Sequence, residues 1–157
     1  MTDGLLIDIG AGLELIVSDL AAALLPARVR RGGGAFDANE LRRHAVDCPA
    51  VVVSCLGFHT YARYKSDWSV KAQLAAYVIT RDAPPAPSRD LAALSLVTAV
   101  YRAVPKSLWG APAVFDLPEE ASLEATNLYS GDLDSTAVAL WAVTWRQTLR
   151  LLSAPTP

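Results

Sequence analysis

Apolar positions recur at two different periods along the chain, and the switches between them mark out helices and strands. Leu13, Ile16, Val17, Leu20 and Leu24 follow helical spacing, which predicts an amphipathic helix over Leu13 to Leu25 that Pro26 terminates. Its stripe should cover one face of a sheet. Ala27 to Arg31 reads as a short strand that runs into Gly32, Gly33 and Gly34, where the lack of Cβ atoms permits a tight or mobile backbone. Asp37 to His44 fits a helical turn. Cys48-Pro49 then opens a strand over Ala50 to Leu56, and its three consecutive valines suit a central strand, placing Val51 to Val53 in the core.

Between Gly57 and Asp67 the segment GFHTYARYKSD has no regular hydrophobic period and reads as a hairpin tip or flexible loop. From Trp68 to Thr80 the period becomes two. Trp68, Val70, Ala72, Leu74, Ala76 and Val78 share one face, opposite Ser69, Lys71 and Gln73, which predicts a sheet covered mainly on one side. The proline-rich segment Ala83 to Ser88 is a surface linker, with Ser88 able to cap the helix that follows. That helix is predicted from Arg89 to about Val104, with Ala93, Leu94, Val97, Val100, Tyr101 and Val104 along one stripe and Pro105 as its stop. A loop with Trp109, Gly110 and Pro112 leads to a short strand over Leu123 to Tyr129.

A turn at Ser130 to Ser135 joins that strand to a closing strand over Ala137 to Leu149. Trp141, Val143, Trp145 and Leu149 occupy one face of it, and Leu140, Ala142, Thr144 and Arg146 the other. Burial in the core explains Trp141 and Trp145 without a ligand. The order of elements predicts an α/β (α+β) fold: a mixed or antiparallel sheet with two main helices on one face, in a single domain over residues 1–152 with a flexible tail at 153–157.

Composition narrows the function classes. The chain has 157 residues, enough to bury about two thirds of the surface its unfolded form exposes. Hydrophobic residues make up 52% and charged residues 19%, a balance that argues for a folded chain with some buried subunit contacts. The formal charge of −2 leaves no basic face for general nucleic-acid binding. No secretory signal precedes the first helix. The apolar run Leu20 to Leu25 is far shorter than the roughly 20 residues a spanning helix needs, which suggests a soluble protein. Two cysteines, Cys48 and Cys55, cannot make a secreted-type disulfide framework and read as free thiols in a reducing compartment.

Motifs for chemistry are sparse. His44, Cys48, Cys55 and His59 have the spacing H-x3-C-x6-C-x3-H, and all four residue types bind zinc. On one extended strand, however, Cys55 and His59 would stand about 13 Å apart, too far to share a metal unless the chain folds back near Gly57. The three glycines follow two arginines without either phosphate-binding glycine pattern, and there is no nucleophile elbow. No catalytic, metal or cofactor residue is assigned. Phe58, Tyr61, Tyr64 and Trp68 form an aromatic group with Arg63 and Lys65 beside them, better suited to a protein contact than to base stacking. Glu119, Glu120 and Glu124 form an acidic group whose simplest reading is a solvated face.

The block from Asn127 to Leu149 resembles the C-terminal signature of the tail terminator-like proteins of Mu-like tailed phages, in which an asparagine-leucine-tyrosine turn precedes a tryptophan-rich strand. The N-terminal helix and the segment Pro49 to Val53 occur in the expected order. The family is similar to the lambda tail terminator, and the resemblance implies a noncatalytic α/β subunit. It implies a homo-oligomer, a six-membered ring, that caps the head-proximal end of the tail tube, stops tube growth and offers a surface to a head–tail connector or stopper protein.

Assembly would occur in the host bacterial cytoplasm, with the product in the virion tail or neck and DNA passing through without sequence-specific binding. A ring contact needs two different surfaces on each subunit. The expected interface residues are Arg31, Phe58, Tyr61, Arg63, Tyr64 and Lys65, with Arg30 to Gly34 as an adjustable docking loop. Glu119, Glu120 and Glu124 are expected to face the DNA passage. Another neck or head–tail adaptor protein is the nearest alternative, and a zinc-binding module or small enzyme the more distant one.

Overall fold

In a computed structural model that describes residues 8–34, 48–64, 67–82, 88–128 and 138–151, the first apolar stripe forms helix α1, Ile9–Ala23. It starts four residues earlier than the hydrophobic period indicates because Asp8 caps it: its Oδ1 accepts from the Ala11 N–H at 2.7 Å, satisfying one of the orphan donors of the first turn. Strands β1 (Arg28–Arg31), β2 (Ala50–Tyr64) and β3 (Asp67–Arg81) follow. Helix α2 is Arg89–Ala103, and β4 (Glu124–Asn127) and β5 (Val138–Leu151) close the fold after a 3-10 turn at Glu120–Ser122.

The five strands make one sheet in the order β1-β2-β3-β5-β4. β1 runs parallel to β2 and every other pair is antiparallel, so the sheet is mixed. Both helices pack on one of its faces. Ile16 and Leu20 of α1 and Val97 and Val100 of α2 meet Val51 and Val53 of β2, Leu74, Ala76 and Val78 of β3, and Val143, Trp145 and Leu149 of β5. Val51, Val52 and Val53 are fully buried, and each such side chain contributes about 1.5–3 kcal/mol of apolar burial.

The opposite face is not simply solvated, contrary to the one-sided cover expected from the β3 alternation. Val52, Ala75, Tyr77, Ile79, Val138, Leu140 and Ala142 form a second buried cluster there, at the end of the sheet where β2 begins. The polar residues Ser69, Lys71 and Gln73 that suggested a wet face lie toward the other end of β3. Thus the sheet is two-sided at one end and one-sided at the other.

At α2 the cap differs from the sequence expectation. Ser88 holds the N-cap position but makes no side-chain capping bond; Asp82, at the end of β3, accepts from the Arg89 N–H at 2.8 Å instead. Thr80 Oγ1 donates to the Arg89 carbonyl at 2.7 Å, which fixes the helix start against β3. The outer edge of β5 is covered along most of its length. β4 pairs with Trp141 to Thr144, and the 114–119 segment continues the cover through Arg150 N–H to Val114, Asp116 N–H to Thr148 and Glu119 N–H to Arg146.

Asp37 to His44, the linker at 83–87, the turn at Ser130 to Ser135 and the tail at 153–157 lie outside the described residues. Among the described residues, no helix is long and apolar enough to cross a membrane.

Candidate functional site

The segment read as a loop is strand. β2 continues through the expected loop to Tyr64, and β3 already begins at Asp67, so Gly57 to Tyr64 is one side of a long hairpin. Two register shifts, between Cys55 and Gly57 and between Thr60 and Ala62, explain the misreading. Each inserts an extra residue, Leu56 and Tyr61, and each breaks the alternation that would mark a strand. The bulges also re-aim side chains: Leu56 and Tyr61 are both exposed.

This hairpin arm concentrates aromatic surface in solvent. Phe58 is 55% exposed, Tyr61 59% and Trp68 42%. Phe58 pairs with Ala72 on the helix side of the sheet, and Trp68 lies on the same side, its indole Nε1 donating to Thr60 Oγ1 at 3.4 Å. Tyr61 is on the opposite side, where the Lys71 ammonium sits 4.8 Å from its ring centroid, a cation–π contact. The arm therefore offers apolar contact area on both faces.

Its root is tied to the rest of the sheet by charge. Lys71 Nζ lies 2.5 Å from Glu119 Oε1, and Arg146 Nε lies 3.1 Å from Glu119 Oε2, so one carboxylate bridges β3 and β5. The hydrogen bond from Lys71, with the charge of both cations, holds the Glu119 carboxyl below the usual carboxylate range against a smaller opposing effect of burial. Ser122 secures the same loop: its hydroxyl accepts from the Arg146 N–H at 2.8 Å and donates to the Glu119 carbonyl at 2.6 Å. Of the three expected passage-facing acids, Glu119 is thus a bridging group, and Glu120 and Glu124 are the exposed ones.

The expected interface residues divide. Phe58 and Tyr61 are brought together on the arm, and Arg63 and Tyr64 belong to the same strand. Lys65 lies outside the described residues. Arg31 is not part of this surface: it pairs with Val53 in the β1–β2 ladder, and its Nε lies 3.5 Å from Glu14 Oε1 of α1. The docking-loop expectation for Arg30 to Gly34 also changes at one position. Gly32 is pinned, its N–H donating to the Val53 carbonyl at 2.8 Å, and a Cβ there would lie 2.5 Å from both Ser54 Oγ and Val52 Cγ1.

The zinc-like set does not converge among its described members. Cys48 packs against the far-face cluster and Cys55 against the helix-side cluster. His59 pairs with Lys71, whereas Cys55 pairs with Leu74 on the other face. His44 lies outside the described residues. Cys55 is half-buried, and burial pushes its thiol above the usual range, partly offset by a backbone hydrogen bond from Gly57.

A polar centre that periodicity did not reveal lies under the closing strand. Gln147 is completely buried on the helix side of β5. Its Oε1 accepts from the indole N–H groups of Trp109 at 2.9 Å and Trp145 at 3.0 Å, and its Nε2 donates to the carbonyls of Ser107 at 3.0 Å and Asp116 at 2.8 Å. Every hydrogen-bonding position of the amide is used. The two indoles pack with centroids 5.9 Å apart, and Trp109 adopts a left-handed φ of 53° to reach this place. The Gln147 amide therefore positions the loop that leads to the β5 edge cover. No known protein family and no characterised protein matches the chain in sequence.

Proposed function

We propose that the chain is a noncatalytic structural subunit of a phage tail, a terminator-like protein that forms a closed homo-oligomeric ring on the head-proximal end of the tail tube, ends tube growth and receives the head connector or stopper. The observation that carries this reading is the Asn127 to Leu149 block, with its turn residues followed by the tryptophan-rich strand β5. The mixed sheet with two helices on one face is compatible with the α/β subunit that the resemblance implies.

The exposed aromatic arm suits an assembly protein, since large aromatic side chains held in solvent favour contact with a partner. On this reading the protein is made in the host cytoplasm and retained in the virion neck, with a six-membered ring as the expected size.

Electron microscopy of tails produced after deletion of this reading frame tests the assignment. Overlong tubes lacking heads are expected. Tails of normal length that fail to join heads would reassign the protein to a neck adaptor, and normal tails joined to heads would exclude both roles.

A further inference from the structure

The two edges of the sheet are treated differently. β4 and the 114–119 segment cover the outer edge of β5, whereas β1 covers only Ala50 to Val53 of β2. The last bond there runs from the Gly32 N–H to the Val53 carbonyl. Among the described residues, no segment pairs with the outer edge of β2 beyond Val53. Leu56 to Tyr61 are six consecutive exposed residues, and one of them, Gly57, has only backbone to expose.

Between the two bulges this edge is regular. Gly57, Phe58, His59 and Thr60 pair in turn with Gln73, Ala72, Lys71 and Val70, and alternate residues of such a ladder direct N–H and C=O away from β3. β1 and β4 each join the sheet through four paired residues, so a strand of this length is a unit the sheet already uses. Lysine, acidic residues and proline protect many natural edges from pairing, and none occurs from Ser54 to Tyr61.

We infer that Gly57 to Thr60 is a strand-addition site, which takes an extended acidic segment of a partner protein alongside β2, in line with β1. Main-chain hydrogen bonds hold such a segment and its alternate side chains supply selectivity. Those on the helix side meet Phe58, 55% exposed, and suit apolar residues; those on the opposite side meet His59. The charge along this edge is positive. From Cys48 to Ser66 the sequence holds Arg63 and Lys65 and no acid, and β1 brings Arg28, Arg30 and Arg31, the last shared with Glu14 of α1. Asp67, the first acid beyond, pairs with Tyr64 at the far end of the hairpin. The common sign disfavours the β2 edge of a second copy as the added strand, because like charges would face each other.

Four residues of ladder make a weak, rapidly exchanging contact. A capped octapeptide of alternating glutamate and valine, titrated into the isotope-labelled protein and followed by NMR, tests the site. The amides of Gly57 to Thr60 should shift most and gain protection from hydrogen exchange as peptide is added. Lysine in place of glutamate should weaken binding several-fold. The glutamate peptide with every backbone nitrogen methylated keeps its side chains but loses its donors, and should not bind.

Shifts centred elsewhere, or none up to the solubility of the peptide, would overturn the site. Equal binding of the methylated peptide would reject strand addition, and equal binding of the lysine peptide would reject an acidic partner. Protection of Gly57 to Thr60 that rises with protein concentration, without peptide, would assign the edge to a second copy and overturn the inference. The edge does not depend on the phage reading, which tail length after deletion tests separately.

Discussion

Replacing Gln147 with leucine is predicted to cost about 3–5 kcal/mol of folding stability. The side chain is fully buried and its amide makes four hydrogen bonds, to two indoles and two backbone carbonyls. A hydrogen bond contributes about 1 kcal/mol net, and stranding a buried donor or acceptor costs about 1–3 kcal/mol. Leucine returns part of this, on the order of 1–2 kcal/mol, through apolar burial. Against a total stability of about 5–15 kcal/mol, the residue is a large contributor.

Urea unfolding followed by tryptophan fluorescence would measure the loss, and near-UV circular dichroism would report release of the Trp109 and Trp145 rings. A Gln147→Leu protein within about 1 kcal/mol of wild type, with the same denaturant slope, would refute the assigned role.

Gln147→Glu provides a signed control. A carboxyl at this position keeps the acceptors for both indoles, but its charged form faces two carbonyls in a dry site, so its folded pKa must rise above about 4.3. A raised folded pKa gives a contribution that is fully present below the unfolded value and is lost as pH rises through the folded value. Relative to wild type at the same pH, this variant should be less destabilised at pH 4 than at pH 7. Equal destabilisation at the two pH values would place the side chain in a hydrated environment.

Other substitutions probe the loop, the charge bridge and the acidic group. Gly32→Ala should destabilise by about 1–3 kcal/mol, because the new methyl meets the buried side chains of Val52 and Ser54, whereas Gly33→Ala, with open space around it, should melt as wild type does. Equal melting temperatures would show that Gly32 is not pinned. Glu119→Gln should cost less than about 1 kcal/mol at neutral pH, since the bridge is partly exposed. The lowered folded pKa of Glu119 gives stability present above the ordinary carboxylate range and lost as pH falls through the folded value. The gap between wild type and Glu119→Gln should therefore close in acid, and a constant gap from pH 6 to pH 2.5 would contradict the bridge. Charge reversal by Glu120→Lys with Glu124→Lys should slow DNA passage without altering the melt; normal infectivity would remove these residues from the passage.

Strong, uninterrupted periods made most of the fold legible. α2 carries a clear stripe and ends before Pro105, so its predicted and observed spans nearly coincide. β3 alternates over its first half, and Val51 to Val53 are buried as their composition suggests. The arm was misread because two bulges shift the side-chain phase within a strand that has little apolar surface to bury. The far-face cluster was missed because β3 mixes polar residues at one end with Ala75, Tyr77 and Ile79 at the other. An average over the strand conceals that change.

The candidate site was legible by composition and less so by geometry. Phe58 and Tyr61 stood out as aromatics in a polar segment, but Arg31 was grouped with them although β1 places it beside Val53 and Glu14. The partners of Glu119 come from β3 and β5, distant in sequence, and no local pattern links them. Gln147 lies between Arg146 and Thr148 in a strand whose polar residues otherwise face away from the helices. Its only sequence signal is its phase, two residues after Trp145 on the buried face.

The most direct test of the proposed terminator role is whether the protein is found on tails, and at which end. Native tails purified from a phage that carries a short epitope on this chain, decorated with antibody and imaged by electron microscopy, should show label at one end only, the end that joins the head. Label along the tube or at the distal end would contradict a terminator.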